Sequence, residues 1–208
     1  MSAELLINVT PSESRVALIE NGILQEIHVE RHTKRGLVGN IYRGKVSRVL
    51  PGMQAAFVDI GLEKAAFLHA SDIVIHNEIA EEVSASHIQK QDIRELVRDG
   101  QDIVVQVVKD PIGTKGARLT TDITIPSRYL VFMPSVTHVG VSQRIEEEVE
   151  RERLKSLVQE FCDENGGFIL RTAAEGVGKN ELQSDAAFLR RLWDKIQSRM
   201  KKRKSNVL

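Results

Sequence analysis

The sequence predicts an α+β chain built around a small closed β-barrel, and three observations carry that expectation. Between about Gly39 and Thr121, short β-type runs alternate with glycine-bearing turns. Further along, two stretches repeat apolar residues at helical spacing. Ahead of the barrel, Leu5 to Val29 reads as a separate set of strands. The expected organisation is therefore residues 1–36 as leading strands, 37–121 as the barrel, and 122–208 as a small α/β domain ending in a helix and a basic tail.

In the leading segment LLINV is apolar, PSES breaks it, and RVALI resumes. Asn21-Gly22 then favours a two-residue hairpin, because both residues tolerate positive φ, and ILQEIHV returns. His32 to Gly36 reads as a linker. In the barrel segment GNIYRGKVSRVL alternates imperfectly, as a curved strand does, and MQAAFVDIG and KAAFLHASDI are short strands with tight turns. Val74 to Arg98 is a polar, partly helical insertion. DIVVQVVKD, Asp102 to Asp110, alternates strongly and leads through Gly113-Thr114-Lys115-Gly116 into ARLTT. Five strands with an irregular connection before the fourth describe an OB-type Greek-key barrel.

From Ile123 onward the pattern offers strand RYLVFMP, a turn at His138-Val139-Gly140 and a charged helix from Glu146 to Cys162. Val149, Leu154, Leu157, Val158 and Phe161 form that helix's apolar face, Gly166-Gly167 stops it, and FILRT is a strand. The last helix is expected to start near Ser184-Asp185, a good N-cap pair. Phe188, Leu192, Ile196 and Met200 recur at i, i+4, and Leu189 and Trp193 widen a stripe that reads as core.

Composition is that of a globular protein, with 41% hydrophobic and 28% charged residues. No apolar run approaches the roughly 20 residues of a membrane span, and no basic region precedes an apolar stretch at the start, so neither membrane nor secretory signal is expected. A single cysteine, Cys162, excludes an intrachain disulfide, fits a reducing cytoplasm, and reads as a buried thiol. Twenty-nine basic residues balance 29 acidic ones. Any affinity for nucleic acid must therefore come from local patches. Glu146, Glu147, Glu148 and Glu150 cluster, and Lys201, Lys202, Arg203 and Lys204 read as a solvated helix end.

Phe57 and Phe67 occupy matching phrases, AAFVDIG and AAFLHAS, on neighbouring strands. Exposed aromatics on an OB strand stack on unpaired bases. Arg43, Lys45, Lys64 and Lys115 could neutralise phosphates on the same face. From spacing alone, burial of both phenylalanines is the commoner outcome. Arg171-Thr172, at a strand end in GGFILRTAAEGVG, combines a bidentate guanidinium with a hydroxyl donor and suits a terminal phosphate. The pair alone is a weak signal, and a surface arginine beside a turn threonine is the ordinary alternative.

The run from Gly44 to His69, GKVSRVLPGMQAAFVDIGLEKAAFLH, resembles the RNA-binding barrel of bacterial ribonucleases of the E/G family. KDPIGTKGARLTTDITIPSRYLVFMP and FILRTAAEGVG follow in the family's order, with wording nearer the G branch than the E branch. The resemblance implies that Phe57, Phe67 and Lys115 contact RNA, which reverses the burial expectation. It implies a 5′-monophosphate sensor at Arg171 and Thr172, with backbone contacts near Ser127 and Val131 and with Arg144 close by. It also implies that the leading strands are part of an incomplete RNase H-like subdomain.

Other signals fail. Gly176-Val177-Gly178-Lys179 lacks the phosphate-loop pattern, since Ala173 and Asn180 break it. Six histidines show no metal-ligand spacing, and one cysteine cannot form a thiolate zinc site. Family members hold magnesium with carboxylates in a later domain and share a zinc between subunits through a cysteine pair. Neither feature is found here, so no catalytic residue, metal or cofactor is expected in this chain. The resulting expectation is the RNA-binding, 5′-sensing region of a cytoplasmic, single-strand-specific endoribonuclease of rRNA processing and mRNA decay. It would be inactive alone, prefer 5′-monophosphorylated single-stranded RNA, and belong to a homo-oligomeric full-length enzyme. The alternatives are a stand-alone RNA-binding or assembly module, or a self-contained nuclease using an unrecognised acidic site.

Overall fold

The computed structural model describes residues 3–31, 36–74, 92–163 and 166–202. The chain divides into two compact units, Met1–Leu37 and Val38–Leu208. The first is an antiparallel meander of β1 (Ala3–Val9), β2 (Glu13–Glu20) and β3 (Ile23–Arg31). Its second hairpin turns on Asn21 and Gly22, at φ 51° and 78°, the positive pair that matches strand twist. Leu5, Leu6, Ile7 and Val9 of β1 and Ile23, Leu24, Ile27 and Val29 of β3 are all exposed. The linker residues 32–35 lie outside the described residues.

The second unit opens with the barrel. Its strands are β4 (Ile41–Leu50), β5 (Ala55–Asp59), β6 (Ala66–His69), β7 (Asp102–Lys109) and β8 (Arg118–Thr120), closed in the order β4-β5-β6-β8-β7. Closure leaves no free sheet edge. Val46, Ala56, Val58, Leu68, Val105, Val107 and Leu119 are buried inside it. Of the polar insertion, only α1 (Ile93–Leu96) and the flanking residues are described, and residues 75–91 lie outside.

Beyond the barrel, β9 (Ile125–Pro126), β10 (Leu130–Met133), β11 (Val139–Val141) and β12 (Gly167–Leu170) form a sheet in the order β11-β12-β10-β9. Two helices accompany it, α2 (Glu148–Gln159) and α3 (Lys179–Lys202). One core joins barrel residue Ile41 to Ile123, Ile125, Leu130, Phe132, Phe168, Leu170, Leu182 and Leu189. The expected boundary at 121/122 thus falls inside a single unit. Gln106 of β7 reinforces the junction. It is buried and satisfied, donating to the carbonyls of Gly39 and Thr124 and accepting from the Thr124 N–H.

Four local expectations are corrected. His138-Val139-Gly140 is not a turn: Val139–Val141 is a strand running parallel to β12, with Gly140 opposite Ile169. Val149 is 75% exposed, so the buried face of α2 is Leu154 and Val158. α3 begins at Lys179, not near Ser184-Asp185, because Leu182 extends its buried face upstream of that pair. Phe188 is 51% exposed and is not core, since the buried residues of α3 are Leu182, Ala186 and Leu189.

The acidic run is partly consumed by packing. Glu150 accepts from Arg153 Nε and Nη2 at 2.6 and 2.7 Å and from the Gly176 N–H at 2.9 Å, tying α2 to the loop before α3. Arg153, then the Gly176 N–H, lower its carboxyl from 4.5 to about 2. Folding lowers this pKa, so the contact is fully present above about 4.5 and is lost as pH falls through about 2. Between those limits the parent should lose melting temperature faster than Glu150→Gln. Thermal melts giving parallel curves for the two would refute this role.

Candidate nucleic-acid interface

Residues paired across strands lie on the same face of a sheet. Arg48 is in register with Phe57, Phe57 with Phe67, Phe67 with Arg118, and Arg118 with Lys109. Because Ala56 and Leu68 pair inside the barrel, this row is on its outer surface. Both phenylalanines are half-buried, with ring centroids 6.4 Å apart at an interplanar angle of 68°. His69 adds a third ring 6.4 Å from Phe67. Three partly open aromatic faces flanked by arginines can stack bases and meet phosphates. Arg48, Lys109, Arg118 and His69 escaped the sequence reading, and only strand register reveals them. Arg118 is also paired with Asp72 at 2.9 Å.

Lys115 is exposed on the loop before β8, and the loop is pinned. A Cβ on Gly116 would come within 1.9 Å of the Ala65 carbonyl oxygen, so only glycine permits this approach. Lys64 Nζ donates to the Gly113 carbonyl at 2.6 Å. The Lys115 loop is thereby held against Ala65, just before β6 and two residues from Phe67, with Lys64 bonded to it. Arg43 and Lys45 are placed differently. Arg43 donates to Asp102 at 3.0 Å and to the Met200 carbonyl of α3 at 3.2 Å. Lys45 stands in register with Asp59 on one side and Asp102 on the other, which offsets its charge locally.

The second constellation gathers at one end of the four-stranded sheet. Leu170 is in register with Leu130 of β10 and Val141 of β11, so Arg171, Arg128 and Arg144 all leave at that end. Arg171 Nη1 donates to the Ser127 carbonyl and, at 3.5 Å, to that of Arg128. Among the described residues its Nε and Nη2 have no partner, which leaves open the edge of the guanidinium that forms bidentate pairs. Thr172 is exposed beside it, opening a short 3-10 turn, Thr172–Ala174, and Arg144 is exposed beyond β11. Val131 lies within β10, opposite Ile169. The Ser127 N–H donates to the Leu130 carbonyl at 2.8 Å and is therefore occupied.

The group that shapes this end is Asp185 of α3. Its Oδ2 accepts from Ser127 Oγ at 2.6 Å, the Tyr129 N–H at 3.0 Å and the Leu130 N–H at 3.1 Å. One carboxylate thus fixes the β9–β10 turn whose carbonyls hold Arg171. In the sequence Asp185 looked like a helix cap, which hid this role. Cys162 is half-buried, and burial raises its thiol above the ordinary value, which disfavours the nucleophilic thiolate. Among the described residues no group of three or more His, Cys, Asp or Glu is placed to hold a metal. No helix among them is long and apolar enough to cross a membrane.

Comparison with known proteins matches residues 37–119 to the S1 RNA binding domain and residues 124–208 to the ribonuclease E/G family. Residues 37–119 thus resemble an S1 RNA binding domain, and residues 124–208 resemble sequence of the ribonuclease E/G family. It is 71% identical to ribonuclease G of Escherichia coli K12 over 202 residues, covering 97% of this chain and 41% of that protein. Ribonuclease G of Haemophilus influenzae is 67% identical over 201 residues, with the same two shares. Ribonuclease E of Escherichia coli K12 is 35% identical over 209 residues, 98% of this chain and 19% of that protein. The chain thus spans less than half the length of these ribonuclease relatives. The S1 match coincides with the closed barrel and its aromatic row, and the E/G family match contains Ser127, Val131, Arg144, Arg171, Thr172 and Asp185. Asp185→Ala strands the Tyr129 and Leu130 N–H donors, while the Ser127 hydroxyl keeps the Leu130 carbonyl, and should cost about 1–3 kcal/mol, measured by urea unfolding. Asp185→Asn keeps an acceptor oxygen and should cost less; equal losses would show that the turn is held by other contacts.

Proposed function

We propose that this chain is the RNA-binding, 5′-monophosphate-sensing region of a single-strand-specific bacterial endoribonuclease of the ribonuclease G type, active in rRNA processing and mRNA decay in the cytoplasm. The observation that carries the reading is Arg171: Nη1 is anchored on the Ser127–Arg128 carbonyls while the Nε–Nη2 edge stays open. That edge fits a terminal phosphate, with the Thr172 hydroxyl as a further donor and Arg144 and Arg128 adding positive field. Ser127 contributes the backbone carbonyl that anchors Arg171, and Val131 lies beside that turn in β10. The barrel row holds the body of the strand through Phe57 and Phe67, with Lys115 and Lys64 beside it.

Cleavage itself belongs, in this reading, to a magnesium site outside this chain, because metal-assisted phosphodiester attack needs a metal-holding carboxylate cluster. A structural zinc shared between subunits is assigned to the longer enzyme as well. The exposed apolar rows of β1 and β3 favour a covered face in that enzyme, consistent with a homo-oligomer. Light scattering that finds only a monomer for the full-length enzyme would count against the oligomer.

Fluorescence anisotropy with 5′-monophosphorylated and 5′-hydroxyl single-stranded oligonucleotides tests the sensing. The parent should prefer the monophosphate, and Arg171→Ala should remove the preference while leaving hydroxyl binding intact. Phe57→Ala or Phe67→Ala should weaken both ligands alike, by about 1–3 kcal/mol each. Equal affinity of the parent for the two ends would refute sensing, and magnesium-dependent cleavage by this chain alone would refute the assignment of catalysis elsewhere.

A further inference from the structure

α3 has two faces of opposite character. Leu182, Ala186 and Leu189 are buried, and Trp193 and Ile196 pack beside them. Phe188, Arg191, Lys195, Arg199 and Lys202 recur at intervals of three or four residues along the other side, all exposed. At about 1.5 Å per residue this line runs roughly 21 Å. Arg191, Lys195, Arg199 and Lys202 make no ion pair and no side-chain hydrogen bond with any described residue. Asp194 is the sole carboxylate from Arg190 to Lys202.

The contrast with α2 is informative. There Arg151 meets Glu148 and Arg153 meets Glu150 at i, i+3, the mixed-sign pattern of a solvated helix. The outer face of α3 instead keeps four like charges unpaired, a local positive field that a polyanion lying along it would neutralise. The ends of the line also meet the two surfaces described above. Phe188 shares an open groove of about 500 Å³ with Arg128, Tyr129, Glu181 and Asp185, the last of these bonded to the β9–β10 turn, and Arg128's carbonyl takes a bond from Arg171. At the far end, the Met200 carbonyl accepts from Arg43 of the barrel strand β4.

We infer that the exposed face of α3 is a track for the sugar–phosphate backbone of single-stranded RNA, running from the Arg171 end of the sheet toward the barrel. Arg191, Lys195, Arg199 and Lys202 sit on successive phosphates, and Phe188 offers a stacking face for a base where the track begins. The inference rests on RNA binding by the chain but not on discrimination between RNA 5′ ends.

The experiment titrates the whole chain with 5′-hydroxyl and 5′-monophosphorylated oligonucleotides across a salt series. Changing Arg191, Lys195, Arg199 and Lys202 together to Gln should reduce the log Kd against log salt slope by roughly 2–3, since each phosphate contact on a single strand contributes about 0.7. Both oligonucleotides should weaken in parallel. A control changing Arg15, Arg31, Lys155 and Lys179 to Gln removes the same charge elsewhere and should change the slope far less. Phe188→Ala should lower affinity about fivefold or more without altering the slope. An unchanged slope in the α3 variant, an equal change in the control, or no RNA binding by the parent overturns the track. Absence of 5′ discrimination in the parent overturns only the sensing reading, because the slope is read equally well on the hydroxyl oligonucleotide.

Discussion

The burial of Leu182, Ala186 and Leu189 of α3 in the core that contains Leu130, Phe132, Phe168 and Leu170 positions nearly every group discussed here. The leucines and phenylalanines among them contribute about 1.5–3 kcal/mol each when removed from water. Phe132 packs against Phe168 in the same core, with ring centroids 5.2 Å apart and planes tilted by 43°. Once this face is fixed, the rotation of the helix is fixed. Asp185 must then point at the β9–β10 turn, and Phe188 and Arg191 must point away from the core. The exposed chemistry of α3 is thus a geometric consequence of its hidden side.

Through Asp185 and Arg43 the same helix reaches both candidate RNA contacts. Asp185 gathers three donors from the turn that presents the Ser127 and Arg128 carbonyls, and Arg171 lies on those carbonyls. Near the other end Arg43 joins the Met200 carbonyl to the barrel. Charged hydrogen bonds of this kind are stronger than neutral ones and directional. The distance between sheet end and barrel is therefore set by a stiff rod with bonded ends inside one compact unit, and not by a linker.

Some of this was legible from residue order and some was not. The Asn21-Gly22 hairpin and the barrel strands were readable because turn chemistry and alternation are local. The positions of Phe57 and Phe67 were not, because AAFV and AAFL are apolar at every position, so alternation does not mark which residue faces out. Family resemblance, not periodicity, placed them outside. β11 was misread since Gly140 signals a turn locally, whereas its pairing with β12 is a long-range event. Ser184-Asp185 mimicked a helix start because capping and turn-holding use the same short polar side chains. The Arg171-Thr172 pair was visible as letters, but the carbonyls that orient its guanidinium come from more than 40 residues away.

A chain with equal numbers of acidic and basic residues has no bulk field with which to attract RNA. Attraction must then come from where acids are spent. Glu150 is held by Arg153 and Gly176, Asp72 by Arg118, Asp102 by Arg43, and Asp185 by a turn. Each of these carboxylates is committed to an internal or local contact, and Asp59 and Asp102 stand in register with Lys45 and offset its charge. Screening confines exposed charges to a range of about 8–10 Å at physiological salt. Over that distance what matters is the neighbourhood of a cation and not the total. Arg191, Lys195 and Arg199 have only Asp194 among them, so neutrality of the whole coexists with a strongly basic line on one helix face.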